Sequence, residues 1–130
     1  MERVNLFILL QIYHWLGYLK VQSGMNMSVL ERGKWRVDYS TSAKKQKKKL
    51  PGTITSQLAS LAWDLEQYGP VQPDWSHYSP LKKSKNVPSN AHHCHIKSGR
   101  PTYVVCWQVI DKTIKIIEIF YVGTHENAPY

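Results

Sequence analysis

Six side chains near the end of the chain carry groups suited to acid–base work on a phosphodiester: His93, His95, Lys97, Arg100, His125 and Tyr130. RNA can be cut without a metal, because its own 2′-hydroxyl serves as the nucleophile. The reaction needs a base near that hydroxyl, an acid near the departing 5′-oxygen and cations around the phosphate. His95 and Lys97 are two apart, and on a strand such residues share a face. Arg100 sits in a Gly99-Arg100-Pro101 connection, and His125 and Tyr130 follow the last apolar run. Together they could hold a scissile phosphate, with the Tyr130 ring stacking on a base. Taken singly, each reads as a solvated surface group. The chemistry depends on their meeting at neighbouring strand ends.

Two other uses compete for these residues. His92-His93-Cys94-His95 resembles a metal-ligand cluster, but strand alternation lets only His93 with His95, or His92 with Cys94, converge. A closed zinc site would then need His125 or Cys106 to complete it, and the paired spacing of zinc motifs is missing, so no metal and no other cofactor is expected. A Cys94–Cys106 disulfide depends on register. Pairing Lys97 with Tyr103 sets the cysteines opposite one another, and pairing Lys97 with Val104 sends them to different faces. The second register gathers Ile96, Tyr103, Val105 and Trp107 on one face and is favoured, so free thiols are expected.

The elements that must position these groups follow from periodicity. Thr102–Ile110 and Ile114–Val122 are apolar runs rich in Val, Ile, Tyr and Trp, joined by a polar Asp111-Lys112-Thr113 turn. With the shorter run His93–Lys97 they predict an antiparallel meander. Earlier, Lys34–Ser40 alternates Trp35, Val37 and Tyr39 against charged residues, a half-buried strand. Ser40-Thr41-Ser42 supplies capping hydroxyls for a short helix over Ala43–Leu50, stopped by Pro51-Gly52. Thr53 then caps a helix whose stripe is Ile54, Leu58, Leu61, Ala62, Leu65 and Tyr68, ended by Gly69-Pro70. Residues 70–91 hold four prolines and read as a long irregular connection. Its rings Trp75, His77 and Tyr78 either stack on bases or pin the loop to the core, pinning being preferred for Trp75. The order β-α-α-β-β-β predicts an α+β fold, two layers, with an antiparallel sheet under two helices.

Lys and Arg number 17 against 9 Asp and Glu, a net charge of +8 in 130 residues. One domain this basic is drawn to polyanions: nucleic acid, an acidic membrane surface or an acidic protein. Lys44, Lys45 and Lys48, in a five-lysine helix, and Lys82, Lys83 and Lys85, in the long connection, are the candidate nucleic-acid contacts. The basic helix is equally readable as a solvated face. Two cysteines without a CxxC pair suit a reducing, cytoplasmic setting. Residues 1–24 form an apolar extension whose Leu6–Leu10 run is too short and interrupted to span a membrane, and whose Glu2-Arg3 start does not suit a signal peptide. They are expected to stand outside the working domain, 25–130, or to dock loosely as a helix, with Met25 and Met27 as alternative starts.

The order of elements, the KWRVDYSTSAKKQKKKLP opening and the YVVCWQVIDKTIKIIEIFYVGTHENAPY ending resemble the RelE/ParE toxin superfamily, and within it the RelE-like cytotoxic translational repressors of type II toxin–antitoxin systems. The resemblance covers about residues 33–130. It implies a ribosome-dependent endoribonuclease, an mRNA interferase. Its expected partners are the ribosome with its mRNA and a cognate antitoxin, with DNA met only through that antitoxin and no membrane. His95 and Lys97 match the basic groups on the second strand of RelE-like enzymes, His125 the basic group after the last strand, and Tyr130 their C-terminal aromatic. His125 is then the general acid, His95 or Lys97 the base, and Arg100 with Lys97 the charge that steadies the phosphorane. The arginine usual early in the third strand is replaced by Val104, a role Arg100 could take from the turn. ParE-like members bind DNA gyrase and lack the catalytic set, which leaves a gyrase-binding toxin as the alternative. A plain basic RNA-binding module rests on charge alone.

Overall fold

A computed structural model describes residues 34–130. The expectations for residues 1–24 lie outside the described residues, as does the expected domain start at 25. Seven elements follow in order: β1 (Arg36–Tyr39), α1 (Thr41–Lys48), α2 (Gly52–Tyr68), β2 (Ser79–Leu81), β3 (Ala91–Lys97), β4 (Tyr103–Asp111) and β5 (Ile116–Thr124), closed by a 3-10 turn at His125–Asn127. The sheet order is β1-β5-β4-β3-β2. The α+β, two-layer arrangement is the expected one, with two differences. The sheet has a fifth strand, β2, and β1 lies parallel to β5, so the sheet is mixed rather than antiparallel. The helix pair returns the chain to the end of the sheet where β1 finished, so β2 runs against β1, and the successive reversals into β3, β4 and β5 bring β5 in parallel to β1. Among the described residues no helix is long and apolar enough to cross a membrane.

The helices form where their residues predict them, with shifted starts. The Ser40 hydroxyl accepts from the Ala43 amide at 3.1 Å and caps α1. The second helix begins a residue before the expected cap: Thr53 lies inside it, and Pro51 precedes it without a side-chain cap. Of its stripe, Ile54, Leu58, Leu61 and Leu65 are fully buried, whereas Tyr68 is exposed at the end. Gly69 ends the helix at φ +90°, with the Trp35 ring so close that a Cβ would come within 2.8 Å of its Nε1. These residues pack with Ala43, Cys94, Ile96, Val105, Trp107, Ile117, Ile119 and Val122 into one core between the helices and one face of the sheet.

The long connection after α2 is pinned rather than irregular. Trp75 is buried and its Nε1 donates to Asp64 Oδ2 at 2.8 Å, while Trp107 Nε1 donates to the Pro70 carbonyl at 3.0 Å. Gln72 donates to the carbonyls of Asp64 and Gly69. The β4–β5 turn is longer than expected. The Asp111 carboxylate accepts from the amides of Thr113 and Ile114, and Lys115 takes φ +56°. Exposed Ile114 therefore belongs to the turn and not to the strand.

Three register shifts interrupt the ladders, at His95/Lys97, Cys106/Trp107 and Val109/Asp111, and the first two set what each face presents near the strand ends. Near its start β3 pairs His93 with Cys106, Cys94 with Val105 and His95 with Val104, but Lys97 with Tyr103, so one extra residue is taken up between His95 and Lys97. Neither expected register holds throughout: Lys97 does meet Tyr103, yet the bulge still sends the cysteines to opposite faces. Cys94 enters the helix-side core, and Cys106 joins Val104 and Tyr121 on the other side. Both cysteines are buried and neither is in a disulfide, the expected outcome reached through the bulge rather than through the favoured register. A second shift, between Cys106 and Trp107, sets Phe120 out of the β5 ladder.

Candidate active site

The sheet face turned away from the helices carries a small apolar cluster of Val104, Cys106 and Tyr121, edged by Leu81, Phe120 and Ala128. Beside it the alternation of β3 delivers His93 and His95, while His92 turns to the other face, where it stacks on Trp107 and bonds the Tyr78 hydroxyl at 2.7 Å. The turn after β5 brings in His125. Its amide donates to the Thr102 carbonyl at 2.8 Å, and Tyr121 Oη donates to the Thr124 carbonyl at 2.7 Å, which holds the strand end from both sides. Gly123 leaves room for that hydroxyl, since a Cβ there would stand 2.7 Å from it. The loop before β2 adds a fourth imidazole. His77 takes φ +54°, and the His95 amide donates to the Ser76 carbonyl at 2.8 Å, which sets the two residues side by side.

The rings meet. His95 stacks on His77 with centroids 4.2 Å apart, and its edge meets His125 at 5.5 Å. His93 lies 6.1 Å from His95 and 4.5 Å from Tyr130. Tyr130 in turn approaches His125 edge-on at 5.8 Å. An open cavity of ≈ 480 Å³ is lined by His95, Gly99, Arg100, Pro101, Thr102, Thr124, His125 and Glu126. Thr102 shapes its far wall: its hydroxyl donates to the Gly99 carbonyl at 2.8 Å and accepts from the Gly99 amide at 3.1 Å, folding the turn that carries Arg100.

Burial holds His95 below the ordinary histidine value, and the neighbouring charges of His77, His125 and His93 press it in the same direction. Burial also lowers His93, against a hydrogen bond to the Ser79 carbonyl that raises it. Both shifts favour the neutral imidazole, which is a proton acceptor. The Tyr130 phenol is pushed up to about 12, chiefly by burial, and stays a hydroxyl. Burial pushes the Cys106 thiol up to about 12, which leaves no reactive thiolate beneath the site.

Of the residues expected to act together, His95, Arg100 and His125 line one cavity, and Tyr130 adjoins it through His125. Lys97 does not line it. The bulge breaks the two-residue alternation, so Lys97 comes level with Tyr103, whose ring packs with the helix-side core, while His95 comes level with Val104 on the open face. Val104 itself is fully buried. Lys44, Lys45, Lys48, Lys82, Lys83 and Lys85 are all exposed, and none lines the cavity. Lys44 and Lys48 instead border a groove with Lys47, Tyr39, Leu50 and Thr55. Tyr78 is not free to stack on a base, being held against His92 and Trp107. His93 stands among the six candidate side chains but with no step of its own, and His77 is expected only as a ring that stacks or pins. For His93 the alternation with His95 was a usable signal; for His77 no local pattern exists, because only the β2–β3 edge brings it near. Among the described residues, no group of three or more His, Cys, Asp or Glu is arranged to hold a metal ion.

A scan against protein-family models and a search of curated proteins find no match. Solved structures do match. An archaeal RelE–RelB complex from Pyrococcus horikoshii OT3 is 18% identical at a TM-score of 0.54, covering 73% of this chain and 99% of that one. A mutant of E. coli toxin RelE in the free state is 18% identical at a TM-score of 0.53, covering 73% and 87%. The RelBE2 toxin–antitoxin complex from Mycobacterium tuberculosis is 19% identical at a TM-score of 0.50, covering 71% and 99%. This chain has the α+β fold of the RelE toxins.

Proposed function

We propose that the protein is the toxin of a type II toxin–antitoxin system and acts in the cytoplasm as a ribosome-dependent mRNA endoribonuclease that represses translation. The observation that carries the reading is the convergence of His95, His125 and Arg100 on one open cavity of a RelE fold. Neutral His95 takes the proton of the 2′-hydroxyl as its oxygen attacks phosphorus. His125 gives a proton to the departing 5′-oxygen as the P–O5′ bond breaks, leaving a 2′,3′-cyclic phosphate. The Arg100 guanidinium offsets the charge that gathers on the phosphoryl oxygens between these steps, the part that Val104 cannot supply. Tyr130, covered on one side by His93 and His125 and still 43% exposed, stacks on a neighbouring base with its open side. Lys44, Lys45, Lys48, Lys82, Lys83 and Lys85 attract the ribosomal and messenger phosphates, and Lys97 adds to that field rather than to the proton transfers.

A cognate antitoxin would neutralise the chain by covering this cavity, and any contact with DNA would run through the antitoxin. RelE–RelB and RelBE2 complexes among the matching structures support that partner. Inducing the full chain in a bacterium and mapping mRNA 5′ ends tests the activity. New ends phased with codons, lost in His125→Ala, are the expected result. Growth arrest without new ends would count against cleavage. The buried Val104 favours one rival, a toxin that binds DNA gyrase without catalysis. Inhibition of gyrase supercoiling by the purified chain, with translation untouched, would select it.

A further inference from the structure

The proton transfers proposed above leave two imidazoles of the cluster, His77 and His93, without a part, and His93 is the buried one. His93 is a buried polar residue, only 8% exposed, on a face that also carries the buried apolar cluster of Val104, Cys106 and Tyr121. Burying a ring with two nitrogens costs free energy that Phe or Leu at the same position would not. Part of that cost is met by Ser79, whose hydroxyl and carbonyl oxygens both stand 3.2 Å from His93 Nδ1. The tie to the carbonyl needs a hydrogen on Nδ1, which leaves Nε2 unprotonated in the neutral ring. Ser79 is paired with His93 in the β2–β3 ladder, so the short fifth strand provides the anchor. The ring so fixed meets the Tyr130 ring at 4.5 Å, and Tyr130 meets His125 at 5.8 Å.

We infer that His93 is a positioning residue: anchored by Ser79, it holds the Tyr130 ring against His125 and so fixes the orientation of the imidazole that serves the leaving oxygen. The inference rests on the nuclease reading. It gives β2 a purpose in the site and explains why a costly imidazole occupies an apolar face. The chain of contact runs Ser79, His93, Tyr130, His125, and only the last of these faces the reacting atoms. Removing a bracket of this kind leaves binding intact and slows the chemical step, because misplacement of a catalytic group is felt in the transition state.

The test is a double-mutant cycle on the full chain, with cleavage of mRNA on programmed ribosomes as the readout. His93→Asn, Tyr130→Leu and the double variant are compared with wild type for kcat and KM. His93→Asn should lower kcat by about tenfold with KM within about twofold; Tyr130→Leu should lower kcat by as much and also raise KM, because the base stack is lost, and the double variant's kcat should fall no further than that of the worse single one. A purely structural role predicts losses that multiply or a fall in the folded fraction, read by near-ultraviolet circular dichroism. If His93→Asn does not fold, His93→Phe, which keeps the ring and loses the Ser79 tie, takes its place in the cycle. Wild-type kcat in the folded His93 variant, or multiplying losses, overturns the inference while the nuclease reading stands. A wild-type chain that cuts nothing overturns both.

Discussion

The two faces of the sheet are built from the same strands and put to opposite uses. On the helix side Leu58, Leu61, Leu65, Trp107, Ile117 and Ile119 are fully buried in one continuous core. On the other side the buried apolar cluster is small, Val104, Cys106 and Tyr121, and imidazoles lie beside it. The contrast is sharpest within β3, where His92 and His95 have the same side chain and different surroundings. His92 is wedged between Tyr78 and Trp107 and bonded to a phenol; it is a packing residue. His95 stacks on His77 and opens onto a cavity with Arg100. Residue type therefore says little about role here. The side of the sheet decides it, because one side is closed by helices and the other is left for a ligand.

The largest effect belongs to the covered face. Trp107→Ala removes the biggest fully buried side chain and its bond to the Pro70 carbonyl, and should cost ~3–5 kcal/mol, read as a lower denaturant midpoint. Activity should fall only with the folded fraction. Next comes the open face. His125→Ala should slow cleavage by about 10²-fold or more, as loss of a general acid does, with stability within about 0.5 kcal/mol of wild type because the ring is exposed. If that variant unfolds instead, the division of labour between the faces fails.

Tyr121→Phe probes the seam between them. It deletes the hydroxyl bonded to the Thr124 carbonyl next to His125, and should cost about 1 kcal/mol with a modest loss of rate. A smaller, pH-dependent effect should touch both faces. Burial lowers His92, and lowers His93 and His95 with help from neighbouring imidazoles, so the unfolded chain binds protons that the folded one refuses. Stability from these groups is present above the ordinary value of about 6.5 and is lost as pH falls below it toward their folded values. His92→Phe should flatten that acid slope in urea titrations. On the same logic the acid limb of the cleavage rate should lie below about 6.5 if His95 is the base. Smallest of all, Lys97→Ala should change kcat by no more than roughly twofold, since the bulge keeps Lys97 off the cavity; a loss matching that of His125→Ala would return it to the catalytic group.

Much of this architecture was legible in order of residues alone, for a local reason. The stripe Ile54, Leu58, Leu61 and Leu65 has helical spacing, the Ser40 cap and the Gly69 stop lie beside the helices they bound, and the runs around Val105 and Ile117 alternate as strands do. Such signals need only neighbours a few positions away. The candidate group His95, Arg100, His125 and Tyr130 was legible too, as basic and aromatic residues clustered at the ends of those runs.

What pairing between distant strands controls was not legible. The parallel seat of β1 on β5, the three-residue β2, the bulge that separates Lys97 from His95 and the arrival of His77 all depend on partners far along the chain. The sequence by itself determined which segments coil and which extend, and which residues in each strand are two apart. Only the tertiary structure decided which side each pair faces, because a single extra residue reverses the alternation and its position is set by how the whole sheet closes over its core.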